Sequence, residues 1–123
     1  MKFEYGEDIR IFMELNDFNV NIAHIKSLIK DFEIERGWDK FRNPKDLSMS
    51  IAIEAAELME IFQWDTTDEA LKIKESDKYE HFKEELADVF IYTMSLANSL
   101  NIDMYDTVKD KLYKNSLKHP KIK

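Results

Sequence analysis

No cysteine occurs among the 123 residues, which removes a disulfide scaffold, a thiolate metal site and a cysteine nucleophile together. Only two glycines and two prolines are present. So few breakers disfavour a turn-rich β fold, and the wealth of Glu, Lys, Leu, Ala, Met and Ile favours helices. No apolar run approaches the roughly 18–20 residues of a membrane span, and the opening "MKFEYGEDIR" lacks the apolar centre of a signal peptide. Clustered positive charge is missing too. The net charge is −7, and binding to a nucleic-acid backbone relies on grouped Lys and Arg. The expectation is therefore a cytoplasmic protein with neither a membrane nor a nucleic-acid polymer as partner. A small phosphorylated ligand remains compatible with the charge, because a divalent ion can join two anions.

What is present reads as helix after helix. Residues 1–18 are expected to form an N-terminal arm, extended or briefly helical, and residues 19–119 the all-α domain. "NVNIAHIKSLIKDFEIERG" places Ile22, Ile25, Leu28, Ile29 and Phe32 at helical spacing, with Gly37 as the stop. Asn43 and Pro44 are a cap and a first-turn proline for a second helix, expected to run to about Trp64. "DTTDEALKIKES" holds a short helical turn, with Thr66 and Glu69 at capping-box spacing. Asp77 and Glu80 open a third long helix through "KYEHFKEELADVFIYTMSLANSL". "NID" breaks it, and a last helix starts near Asp103 and fades before Pro120. The expected architecture is a bundle of about four helices per chain, completed by homo-oligomerisation.

Acids interrupt the two middle helices. A helix turns about 100° per residue. With Glu54 at the origin, Leu47, Ile51, Leu58 and Phe62 lie within about 80° on one side and Ile61 within about 20° on the other. Glu57 is about 60° away, beside Ser50 and Ile61. The next helix repeats the pattern. Around Glu85, the residues Phe82, Val89, Leu96 and Leu100 lie within about 60°, Tyr92 within about 20°, and Asp88 about 60° off. With 25 acidic residues in the chain, roughly five acid pairs at this spacing are expected by chance, most of them on solvated faces. Placement on two apolar stripes sets these pairs apart. If the helices pack together, Glu54, Glu57, Glu85 and Asp88 converge where water is scarce, and protons or cations must compensate them. Oxygen-only ligands suit Mg²⁺, with Mn²⁺ as a substitute.

The blocks "RGWDKFRNPKDL", "EAAELMEIFQW", "EELADVFIY" and "KLYKNSLKHP" appear in the order found in the MazG-like superfamily of all-α nucleoside triphosphate pyrophosphohydrolases. The chain resembles its dCTP pyrophosphatase branch from about Phe32 to Pro120. The resemblance implies that Glu54, Glu57, Glu85 and Asp88 are metal ligands and catalytic, and that a nucleoside triphosphate is cleaved to the monophosphate and pyrophosphate. It also implies substrate contacts from Trp38, Trp64 and Tyr92 around the base and sugar. Lys111, Asn115 and Lys118 share one face of the last helix and match the phosphate-gripping K-x-x-x-N-x-x-K pattern. Ordinary packing for the aromatics and plain solvation for the lysines are the competing readings. Arg42 and Asn43 stand where that branch tends to have His and Gln, and His119 where it has Tyr; Arg42 is therefore expected near the base, with altered base preference.

Other classes weigh less. A di-iron carboxylate bundle needs Glu-x-x-His pairs, and none of His24, His81 or His119 has Glu three residues before it. A non-catalytic regulatory or partner-binding helical module and a dUTP-directed enzyme of the same superfamily remain the alternatives. The resemblance implies a homodimer or homotetramer whose sites border neighbouring subunits.

Overall fold

The computed structural model describes residues 14–122; residues 1–13 of the expected arm lie outside that range. Among the described residues every regular element is helical. They divide into two compact units. One takes the residues up to Asp39 together with those from Ala97 onward, and the other is Lys40–Leu96.

In the first unit, helix α1 spans Ile22–Glu35. The Asn21 side chain accepts the His24 backbone N–H at 2.8 Å and satisfies one orphan donor of the first turn. Gly37 stops the helix as its position predicts, with φ at +70°, where a Cβ would be strained. Asn98 donates to the Lys26 carbonyl at 3.0 Å, and Lys26 Nζ donates to the Ile102 carbonyl. These bonds tie α1 to the turn that follows Ser99. Asp103 caps the last helix of the chain, Met104–Lys118, by accepting the Asp106 N–H at 2.8 Å. Ile29 and Ala97 are the buried apolar residues of this unit.

The second unit holds α2 at Pro44–Glu60, the short α3 at Thr67–Leu71, and all but the last three residues of α4, Tyr79–Ser99. The last helix is accordingly α5. Asn43 caps α2 by accepting the Asp46 N–H at 3.0 Å, with Pro44 in the first turn. Thr66 and Glu69 form the reciprocal capping box. Two boundaries differ from expectation. Helix α2 ends at Glu60, four residues before Trp64, because Lys78 Nζ takes the Ile61 carbonyl at 3.1 Å and both oxygens of Asp65 at 2.9 and 3.0 Å. At the head of α4, Ser76 Oγ, rather than Asp77, accepts the Lys78 N–H at 3.2 Å.

Helices α2 and α4 run antiparallel. Phe62 meets Phe82 edge-on at 5.6 Å near one end, and the Arg42 guanidinium lies 5.2 Å from the Tyr92 ring centroid towards the other. Leu47 and Ile61 are buried, as their stripe predicts, and Met94 is buried on α4. Leu100, also expected on the α4 stripe, is exposed, since the helix has already ended at Ser99. No helix is long and apolar enough to cross a membrane among the described residues.

Candidate metal centre

Helical periodicity puts Leu47, Glu54 and Ile61 on one line of α2, seven residues apart. Leu47 is 1 % exposed and Ile61 7 %. Glu54 therefore stands between two buried side chains and is itself only half-exposed. On α4, the spacing of three residues brings Glu85 and Asp88 to the side facing α2, both again half-exposed. Glu54, Glu85 and Asp88 each offer one oxygen to a group whose members all lie within 4.8 Å of one another. Oxygens this close can share one divalent cation, whose ligands stand about 2.0–2.6 Å from it.

The electrostatics are those of an uncompensated site. Glu54 Oε2 and Glu85 Oε2 are buried and accept no hydrogen bond. Burial, first, and then a hydrogen bond with Glu57 and the charges of Glu57, Asp88 and Glu85 push the Glu54 carboxyl up to about 7. Glu85 is likewise raised, by burial and by the hydrogen bond and charge of Glu57, with His81 acting in the opposite direction. Two orphaned carboxylate oxygens, on residues of an all-oxygen donor set, fit a hard divalent cation.

Glu57 falls outside the group of three oxygens. Its residue is exposed at the rim, and its carboxyl approaches both Glu54 and Glu85 closely enough to hydrogen-bond to either when that one is protonated. Sequence reading missed His81. Its Nδ1 lies 3.9 Å from Glu85 Oε1, and its position four residues before Glu85 was the available signal.

Arg42 and Tyr92 belong to the same unit as the acids, and Tyr92 follows Asp88 by one turn of α4. Trp64 sits in the turn after α2 and is 88 % exposed. The neighbouring Asp65–Lys78 contact holds that turn in place. Asn43 is committed to capping α2, which gives that departure from the family pattern a local structural role. Trp38 lies in the first unit, in a single 3-10 turn, with its ring edge-on to Phe32 at 5.7 Å. Lys111, Asn115 and Lys118 are also in that unit, on α5. The two lysines are exposed and Asn115 is half-buried, its carbonyl accepting the His119 N–H at 2.9 Å.

Comparison with known proteins adds an independent line. The model of the MazG-like family matches residues 49–123. The dCTP pyrophosphatase 1 of Homo sapiens is 34% identical over 100 residues, and that of Mus musculus 32% over 100 residues. Each match covers 80% of this chain and 59% of the relative, so the chain spans about three-fifths of the length of these curated relatives. Among solved structures, a pyrophosphatase from Archaeoglobus fulgidus DSM 4304 superposes with a TM-score of 0.75 at 39% identity, covering 87% of this chain and 99% of that one.

Proposed function

Since the chain belongs to the MazG-like family, we propose that it is a Mg²⁺-dependent nucleoside triphosphate pyrophosphohydrolase, acting on a (d)NTP of dCTP type. The observation that carries this reading is the oxygen triad of Glu54, Glu85 and Asp88, with two of its carboxylates holding buried, partnerless oxygens. A regulatory module without catalysis has no use for such a costly arrangement. The names of the curated relatives support dCTP as the first substrate to try.

In the proposed reaction, water attacks the α-phosphorus, the bond from that phosphorus to the α–β bridging oxygen breaks, and pyrophosphate leaves with the monophosphate behind. Glu54, Glu85 and Asp88 would hold the divalent ion, with Glu57 completing its surroundings from the rim. When bound, the ion supplies Lewis acidity that offsets charge building on the triphosphate. Glu57, open to solvent, orients the attacking water and accepts its proton. Trp64 offers an indole face to the base, a contact that tolerates any base because each has a π-face. Tyr92 and Arg42 reach the sugar and base; the resemblance to the family adds a base contact from Trp38 and phosphate contacts from Lys111, Asn115 and Lys118.

Apolar side chains left exposed on α5, among them Tyr105, Leu112 and Leu117, support a homodimer or homotetramer that covers them. Incubation with a dNTP panel and Mg²⁺, with products identified, tests the function. Pyrophosphate and monophosphate, fastest from dCTP, are expected; orthophosphate or no release at all would refute it.

A further inference from the structure

The two oxygens of Glu85 meet different surroundings. Oε2 is buried without a hydrogen-bond partner, whereas Oε1 lies 3.9 Å from His81 Nδ1. His81 stands one turn earlier on α4, at the four-residue spacing that stacks side chains on one helical face. Its side chain is 61% exposed, against 13% for that of Glu85. The imidazole thus lies near one oxygen of the carboxylate, and the partnerless oxygen is the buried one. His81 is not itself part of the oxygen triad: among the described residues, only Glu54, Glu85 and Asp88 fall within the 4.8 Å group.

We infer that His81 is a positioning residue, whose ring N–H orients the Glu85 carboxylate so that Oε2 serves the cation. This rests on the metal reading above. A carboxylate turns easily about its terminal bond, whose torsional wells are broad. Contact with one oxygen therefore sets the direction of the other. At 3.9 Å the pair is in contact but not hydrogen-bonded; small torsions of the two side chains, moving the atoms together by about 1 Å, make it a hydrogen bond. Such outer contacts to ligating groups typically account for about 10–100-fold in metal affinity. The H-x-x-x-E spacing makes Glu85 the oriented ligand of the set.

The test is calorimetric titration of the full, metal-free chain with Mn²⁺ for wild type, His81→Ala and His81→Gln. Melting of the metal-free proteins serves as the structural control. His81→Ala is expected to weaken Mn²⁺ binding by about tenfold, and His81→Gln, which keeps an N–H donor, to restore most of it. The metal-free melting temperatures should stay alike, because the ring is largely in solvent. Wild-type affinity in His81→Ala overturns the inference, as does an equal loss in both variants. A wild-type protein that takes up no Mn²⁺ would instead remove the metal reading on which the inference stands.

Discussion

Glu54 on α2 and Asp88 on α4 approach each other across the antiparallel helix pair, and with Glu85 they hold three carboxylate oxygens inside 4.8 Å. The His81 ring stands beside them, its Nδ1 3.9 Å from Glu85 Oε1. Several properties of the metal-free and metal-bound protein depend on this crowding.

Replacing Glu54 with Gln removes a charge from the crowd while keeping its shape. The metal-free protein is expected to melt at a higher temperature than wild type, because repulsion with Glu57, Asp88 and Glu85 falls. The rise in melting temperature on adding Mg²⁺ should vanish in the same variant. Turnover of the preferred nucleotide should drop on the order of 100-fold or more. Glu57→Gln should lose turnover on a similar scale while retaining most of the Mg²⁺-induced rise. Differential scanning fluorimetry and a pyrophosphate assay measure both effects.

Acidity should act in opposite directions on the two forms. Glu54 has a folded pKa of about 7, above its ordinary value of 4.5. A raised carboxyl contributes stability that is fully present below the ordinary value and is lost as pH rises through the folded one. In the metal-free protein, then, this group's contribution fades between about pH 4.5 and 7. Mg²⁺ bound as proposed would compete with the same proton, so its affinity should climb across that window, with proton release on binding. Calorimetry in buffers of different ionisation enthalpy counts the released protons. A flat affinity from pH 5 to 8 would contradict the crowding described here.

Lys78 fixes the turn that carries Trp64, through Asp65 and the Ile61 carbonyl. Lys78→Met is expected to cost about 1 kcal/mol of stability, the usual scale for a partly exposed pair. Trp64→Ala should leave stability nearly unchanged, because the side chain is 88% exposed. It should raise KM by the equivalent of about 1–3 kcal/mol of stacking, and Trp64→Phe should recover part of that. Lys78→Met should raise KM in the same sense, by less. Thermal melts and steady-state kinetics separate the two residues.

The exposed apolar face of α5 predicts association. Leu112 is 63% exposed and Leu117 69%. A double change of both to Glu should convert the proposed oligomer to monomer in light scattering, with helicity retained. A wild-type protein that is already monomeric would refute the proposed assembly.

Short-range chemistry made much of this molecule legible in advance. The caps at Asn43, Thr66 and Asp103 bond within their own first turns, and the stop at Gly37 depends on one backbone angle. None of these needs a distant partner. The stripe carrying Glu54 was equally readable, because 100° per residue places Leu47 and Ile61 on its line whatever else packs there.

Other outcomes depended on groups far apart in the chain. That α2 stops at Glu60 follows from Lys78, 17 residues after the Ile61 carbonyl it binds. That Glu57 stays at the rim while Glu54, Glu85 and Asp88 draw together follows from the register between α2 and α4. Periodicity along one helix leaves that register undefined, since a slide or rotation against the neighbour preserves every internal hydrogen bond. Side-chain contacts such as Phe62 on Phe82 select one arrangement, and with it which oxygens come together.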